Sequence, residues 1–295
     1  MRRIQEQRRR YIFWVAAFMV TASLGAQITC SSKDSLLFQS KITALERIPE
    51  KADGNIIIPI AKSFLGTPYI EKTLELGNKE TLVINLRGMD CTTFVENVLA
   101  FALVLKNGDK TLGSFVKTLE TIRYRNGKLN GYPSRLHYFT EWIRDNESKG
   151  LVQDITSRLG GETLEKTIDF MSMHRELYPY LADESNFAQI REIESKIAEE
   201  TLCVLPQRQI KDQEPNLKNG DIIALATSIK GLDVTHTGIA VRVNDRIHLL
   251  HASISGSVAI TEQPLTDYLD KIKNNIGIIV ARPTLFSSQA PQNTP

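Results

Sequence analysis

Cysteine is scarce in this chain of 295 residues, and what is missing narrows its chemistry. Only Cys30, Cys91 and Cys203 occur, and an odd number leaves at least one thiol unpaired. The five histidines include no His-Glu-x-x-His helix, so the commonest zinc-protease signature is absent. The formal net charge is only +2, and residues 1–10 carry +4 of it, which leaves −2 for the rest. Such a balance gives no basic footprint for nucleic acid. Long apolar runs are also lacking. Tyr11 to Gly25 is too short to span a membrane comfortably, follows five arginines, and ends in small residues. It reads as a secretory signal over residues 1–26, cut after Ala26, with a retained anchor helix or lipid attachment at Cys30 as alternatives. Export places the protein in the periplasm or outside the cell. In that oxidising setting a Cys30–Cys203 bridge is an option, with Cys91 as the free thiol.

What is present is an ordinary globular composition, 42% hydrophobic and 24% charged, long enough for one large domain or two modest ones. The stretch that organises it is Met89-Asp90-Cys91-Thr92-Thr93-Phe94-Val95-Glu96. Asp90 is a good N-cap, so Cys91 should open a helix over Phe94 to Leu105, where peptide dipoles favour a thiolate. Cys91 precedes the apolar run instead of lying within it, which favours a nucleophile over an inert core cysteine.

Upstream, Ser35 to Arg47 reads as a short helix, and a second begins at Ile56 and stops at Gly66 and Pro68. Tyr69 follows this turn, and Leu82 to Leu86 reads as a strand. Residues 108–205 read as mainly helical, with helices at Leu112 to Arg123, Tyr138 to Asn146 and Phe187 to Glu200. The loop Tyr124 to Tyr138 between them is rich in glycine, aromatics and hydrogen-bonding groups, and is balanced between a binding surface and a solvated turn. The last third reads as antiparallel strands at Ile222 to Ala226, Thr235 to Val243, Ile247 to Ser253, Val258 to Thr261 and Ile276 to Arg282, with a helix over Leu265 to Lys273. Residues 284–295 have the composition of a disordered tail. The class is α+β, in one domain over residues 27–295.

A hairpin turn at Asn244-Asp245 makes paired positions sum to 489. His251 then faces Gly238 and joins His236, while His248 opposes Val241 and points away. The glycine should leave room for an imidazole. His236 as base, oriented by His251, completes a set with Cys91. A zinc site of His236, His248 and His251 is the rival, and the strand alternation argues against it. No metal or other cofactor is called for.

In order, Gly66-Thr67-Pro68-Tyr69, Asp90-Cys91, Leu217-Lys218-Asn219-Gly220-Asp221-Ile222-Ile223, His236-Thr237-Gly238-Ile239 and His251-Ala252-Ser253 resemble the signature of NlpC-type cell-wall cysteine peptidases. The resemblance implies a papain-like fold over residues 55–282, with the nucleophile helix packed on an antiparallel sheet and residues 108–205 inserted. It implies Cys91 as nucleophile, His236 as base, His251 as the third polar residue, and Tyr69 over the site beside Asp90. Arg135-Leu136-His137-Tyr138 resembles a branch associated with N-acetylmuramoyl-L-alanine amidase activity. That branch implies muropeptide substrates, including 1,6-anhydro ones, with Tyr132, Arg135 and His137 contacting sugar or peptide. No partner protein is implied. Ile70-Glu71-Lys72 replaces the usual Trp-Gly-Gly, Thr92 replaces the usual serine, and the spacing from His236 to His251 is a few residues long, which keeps His248 open as the third residue. A γ-D-glutamyl endopeptidase and a non-catalytic wall-binding relative are the other readings.

Overall fold

Cys91–Asn107 forms a helix that is apolar almost all round, with Phe94, Val95, Val98, Leu99, Ala100, Phe101, Ala102 and Val104 buried, and such a helix is stable only inside a core. The computed structural model describes residues 27–48 and 56–285, and the rest of the molecule is built round that helix. In chain order come β1 (Ile28–Cys30), α1 (Ser32–Leu45), α2 (Ile57–Lys62), β2 (Leu82–Ile84), α3 (Cys91–Asn107) and α4 (Leu112–Arg123). Then follow α5 (Phe139–Ser148), β3 (Val152–Asp154), β4 (Glu162–Leu164), α6 (Phe170–Met173), α7 (Glu184–Ala198), β5 (Leu202–Pro206) and α8 (Gln207–Gln213). Strands β6 (Ile222–Thr227), β7 (Val234–Val243), β8 (Arg246–Ala252) and β9 (Val258–Ile260), helix α9 (Leu265–Leu269) and β10 (Asn275–Pro283) complete the described chain.

Strands β1 and β2 pair in parallel, and the larger sheet runs β4-β5-β10-β6-β7-β8-β9, with β3 also on β10. All its pairings are antiparallel. Helix α3 covers one face, where Ala224, Ile239, Val241 and Leu250 join its core, and α8 and α9 cover the other through Ile210, Leu265 and Leu269. Two covered faces explain why Ile222 to Ala226 is continuously apolar instead of alternating. Phe38, Phe64, Phe101 and Phe115 pack together beside α3, with Phe101 and Phe115 4.7 Å apart. Each such side chain contributes about 1.5–3 kcal/mol when buried.

The α+β class and the central β-meander match the sequence expectation, with strand ends moved by a residue or two. Several other expectations need correction. The segment 108–205 is not simply helical, because it supplies β3, β4 and most of β5 to the sheet. Strands β3 and β4 are three residues each and β4 is wholly exposed, so neither carries an alternation signal, and their partners lie far along the chain. The loop 124–138 is not a solvated turn throughout: Tyr124, Tyr132, Arg135, Leu136 and Tyr138 are buried, while Asn126, Lys128, Asn130 and Gly131 are exposed. Of the expected tail, Thr284 and Leu285 are ordered parts of the fold: the Thr284 amide donates to the Leu151 carbonyl and Leu285 is in the core. Cys30 and Cys203 sit on separate sheets and all three cysteines are free, so the optional bridge is not formed. The signal segment 1–26 and residues 286–295 lie outside the described residues. No helix among the described residues is long and apolar enough to cross a membrane.

Candidate active site

The approach to Cys91 is pinned from three directions. Asp34 of α1 accepts hydrogen bonds from the Leu86 amide at 2.9 Å and from Arg87 Nε at 3.1 Å. Tyr69 bridges to Met89, with the Ile70 amide donating to the Met89 carbonyl at 3.1 Å. Asp90 caps α3: its Oδ1 accepts from the Thr93 amide and hydroxyl at 2.8 Å each, while the Asp90 amide donates to Thr93 Oγ1 at 2.9 Å. Gly88 lies close under Ile70, whose Cδ1 a Cβ at this position would meet at 2.3 Å and push aside. Cys91 therefore opens the helix as expected.

Its ionisation does not follow the expectation. Burial pushes the Cys91 thiol up to about 11, and the Asp90 carboxylate adds to this, while Thr237 and Thr92 act the other way. The residue that caps the helix thus opposes the thiolate that the helix end favours. Burial likewise depresses His236 to about 3, with His251 adding to the effect, and His251 to about 4. Burial thus favours the neutral thiol at Cys91 and the neutral imidazole at His236.

The hairpin has the expected register. Ile239 pairs with Leu250 and Val241 with His248, and Asn244 and Asp245 both have positive φ, as a two-residue hairpin requires. His236 Nε2 lies 2.6 Å from His251 Nδ1, with the rings perpendicular. His248 is turned away, its Nδ1 2.8 Å from the Thr261 carbonyl. This direct contact between His236 and His251 is not how two ligands of one metal ion sit. Gly238 serves another purpose than expected: a Cβ there would strike Leu249 and the Leu250 carbonyl, not an imidazole. A β-bulge lies beside His236, where Leu225 pairs with His236 and Ala226 with Val234, and bulges re-aim strand residues.

Thr237, next to His236 in β7, acts on the Cys91 thiol, and so does Tyr268, whose ring stands against His251, so the start of α3 and the histidine pair share this end of the sheet. Tyr69 is half-buried, and burial, with the nearby Cys91, Asp90 and Glu71, raises its phenol to about 12. It remains a proton donor over the ordinary pH range.

Tyr132, Arg135 and His137, expected on the substrate, are turned toward one another instead. Tyr132 is 2% exposed, and its ring lies 4.4 Å from His137, 5.0 Å from Tyr180 and 5.0 Å from the Arg135 guanidinium. Arg135 pairs with Glu75 at 3.3 Å and Glu80 at 3.5 Å. His137 Nε2 lies 3.0 Å from the Tyr132 carbonyl, and burial holds this imidazole neutral. Their buried polar groups therefore organise the insertion and tie it to residues 75–80.

Sequence reasoning passed over three residues. Thr237 carries no signal of its own, since alternation puts it on the face opposite His236. Tyr268, whose ring stands 5.6 Å from His251, has no local signal at all. Asp233, fully buried at the entry to β7, accepts from the Thr140 amide and hydroxyl at 2.8 Å and so ties the insertion to the strand carrying His236.

The comparisons with known proteins bear on this geometry. An N-acetylmuramoyl-L-alanine amidase of Bacteroides uniformis is 38% identical, with a TM-score of 0.74, over 77% of this chain and 97% of its own. A Bacteroides fragilis protein provisionally named a xylanase is 41% identical, with a TM-score of 0.73, over 76% and 99%. A Legionella pneumophila protein at 23% identity and a TM-score of 0.58 shares the fold. No curated protein matches. The model of the AmiA-like, N-acetylmuramoyl-L-alanine amidase-like family matches residues 59–278, a span holding Cys91, His236 and His251, and the chain belongs to that family.

Proposed function

We propose that the protein is a cysteine amidase of the NlpC type that cleaves the bond between the lactyl group of muramic acid and L-Ala in peptidoglycan fragments, 1,6-anhydro-muropeptides among them. The observation that carries this reading is the 2.6 Å contact of His236 Nε2 with His251 Nδ1, on the strand whose Thr237 acts on the thiol of the helix-borne Cys91. With the Nε2 proton on His236 donated to His251, Nδ1 keeps the lone pair that a general base needs. His236 takes the proton of the Cys91 thiol as sulfur attacks the amide carbonyl. The resulting imidazolium is stabilised by donation to the neutral His251, and it then protonates the leaving L-Ala nitrogen. Amide donors at the start of α3 support the oxyanion. Water then attacks the thioester, with His236 again as base, and frees the muramoyl carboxylate and Cys91.

This chemistry suits an amide better than a glycoside, whose hydrolysis ordinarily needs two carboxylates flanking the bond; here the reactive groups are a thiol and two imidazoles. The basic and apolar segment 1–26 supports export as the setting, where such fragments arise. Incubation with a disaccharide tetrapeptide followed by mass spectrometry tests the bond. Intact tetrapeptide is the expected product, and a disaccharide still carrying L-Ala-D-Glu would replace the amidase by the endopeptidase reading.

A further inference from the structure

The role of Thr237 in β7 rests on the cysteine reading above. Thr237 is 1% exposed, on the face of β7 that carries Ile239 and Val241 against α3. Its hydroxyl is buried and makes no aligned hydrogen bond. Thr237 lies against Cys91 through both its backbone and its hydroxyl. The backbone part follows from the strand geometry. The Ala240 amide donates to the Asp221 carbonyl at 2.8 Å and the Arg242 amide to Asn219 Oδ1 at 2.6 Å, both on the β6 side. Odd-numbered amides therefore point toward β8. Pairing of β7 with β8 runs from Val243–Arg246 to Ile239–Leu250, so the Thr237 amide lies beyond the last rung.

We infer that Thr237 is the thiolate-binding residue of the site, its hydroxyl and amide both donating to the Cys91 sulfur when the proton has left for His236. A buried hydroxyl without a partner is costly in a resting protein and is found where function needs it. Here its partner is made by the reaction: the rotor swings its hydrogen toward sulfur as negative charge appears, and relaxes when the thioester removes that charge. Two donors at sulfur offset the burial and the Asp90 charge that keep the resting group protonated. The donors favour the thiolate over the thiol, so they act on the attack step and not on substrate binding.

The test is the ionisation of Cys91, read from the rate at which iodoacetamide labels the Cys91 peptide between pH 6 and 11.5, in the wild type and in Thr237→Val, Thr237→Ser and Thr237→Ala. In the wild type the rate should be slow at neutral pH and rise about tenfold per pH unit as the thiol ionises. Thr237→Val should slow labelling about tenfold at each pH below the midpoint, as a rise of about one unit in the thiol does, and lower kcat about tenfold with KM little changed. Thr237→Ser should restore both, because it returns the donor. Thr237→Ala gives the same reading if the valine disturbs folding, which thermal unfolding monitors. An unchanged labelling rate in Val and Ala, or no recovery in Ser, overturns the inference. Failure of the wild type to split muropeptides overturns the proposed reaction instead, and the labelling rates still decide the role of Thr237.

Discussion

At the scale of single residues, the site depends on which imidazole faces which partner. In the proposed reaction His236 serves as base because its Nε2 is engaged by His251, which burial holds neutral. His248 lies three residues away in the chain and has a structural hydrogen bond to Thr261 instead. His236→Ala should therefore lower kcat/KM by about 10²–10⁴-fold, as the loss of a general base does. His251→Ala should cost less, since it orients and stabilises without accepting the thiol proton. His248→Ala should leave turnover near wild type and reduce stability by about 1 kcal/mol through one lost buried hydrogen bond. Steady-state kinetics and thermal unfolding of the three variants check the order, and a His248 variant slower than the His251 variant would assign the third role to His248.

Among elements, α3 carries both Cys91, the proposed nucleophile, and a buried charge. Glu96, one turn beyond Cys91, accepts from Arg123 Nε of α4 at 2.7 Å, and Arg123 Nη1 donates to the Val83 carbonyl of β2 at 2.7 Å. Both side chains are 2% exposed. The pair locks the angle between α3, α4 and β2, and hence the direction in which the helix start points. Breaking such a pair leaves one charge buried without its counterpart, a loss of about 3–5 kcal/mol. Glu96→Gln should therefore lower the midpoint of chemical denaturation markedly, whereas an exposed pair such as Lys196–Glu192 should matter little. A Glu96→Gln protein as stable as wild type would show that the pair has no such role.

For the molecule as a whole, the insertion is part of the sheet and not an appendage. Strands β3 and β5 both pair with β10, and Phe115, Leu119 and Trp142 belong to the same core as α3. Asp233 and Gly231 bind the insertion to the β6–β7 connection just ahead of His236. A chain with residues 108–205 replaced by a short glycine-serine linker should lack a cooperative unfolding transition, because β10 would become an exposed edge and a large part of the core would go. Circular dichroism during thermal unfolding reads this directly, and a cooperative transition in the shortened chain would count against it.

Local physics alone determined a good share of this protein. The Asp90 cap ahead of an apolar run placed Cys91 at a helix start, and a two-residue turn at Asn244-Asp245 dictated a register that brought His251 to His236 and sent His248 elsewhere. Both are short-range effects, set by neighbours within a few residues. Tertiary structure decided what depends on distant groups. The protonation of Cys91 reversed because burial and the charge of Asp90 outweigh the helix end. Tyr132, Arg135 and His137 turned inward because Glu75 and Glu80, more than fifty residues away, are there to meet Arg135. Strands β3 and β4 exist only because distant strands offer their edges, and the contact of Thr237 with sulfur appears only once β7 leaves β8 beside the start of α3. Burial and long-range pairing are properties of the folded chain, and no window of sequence contains them.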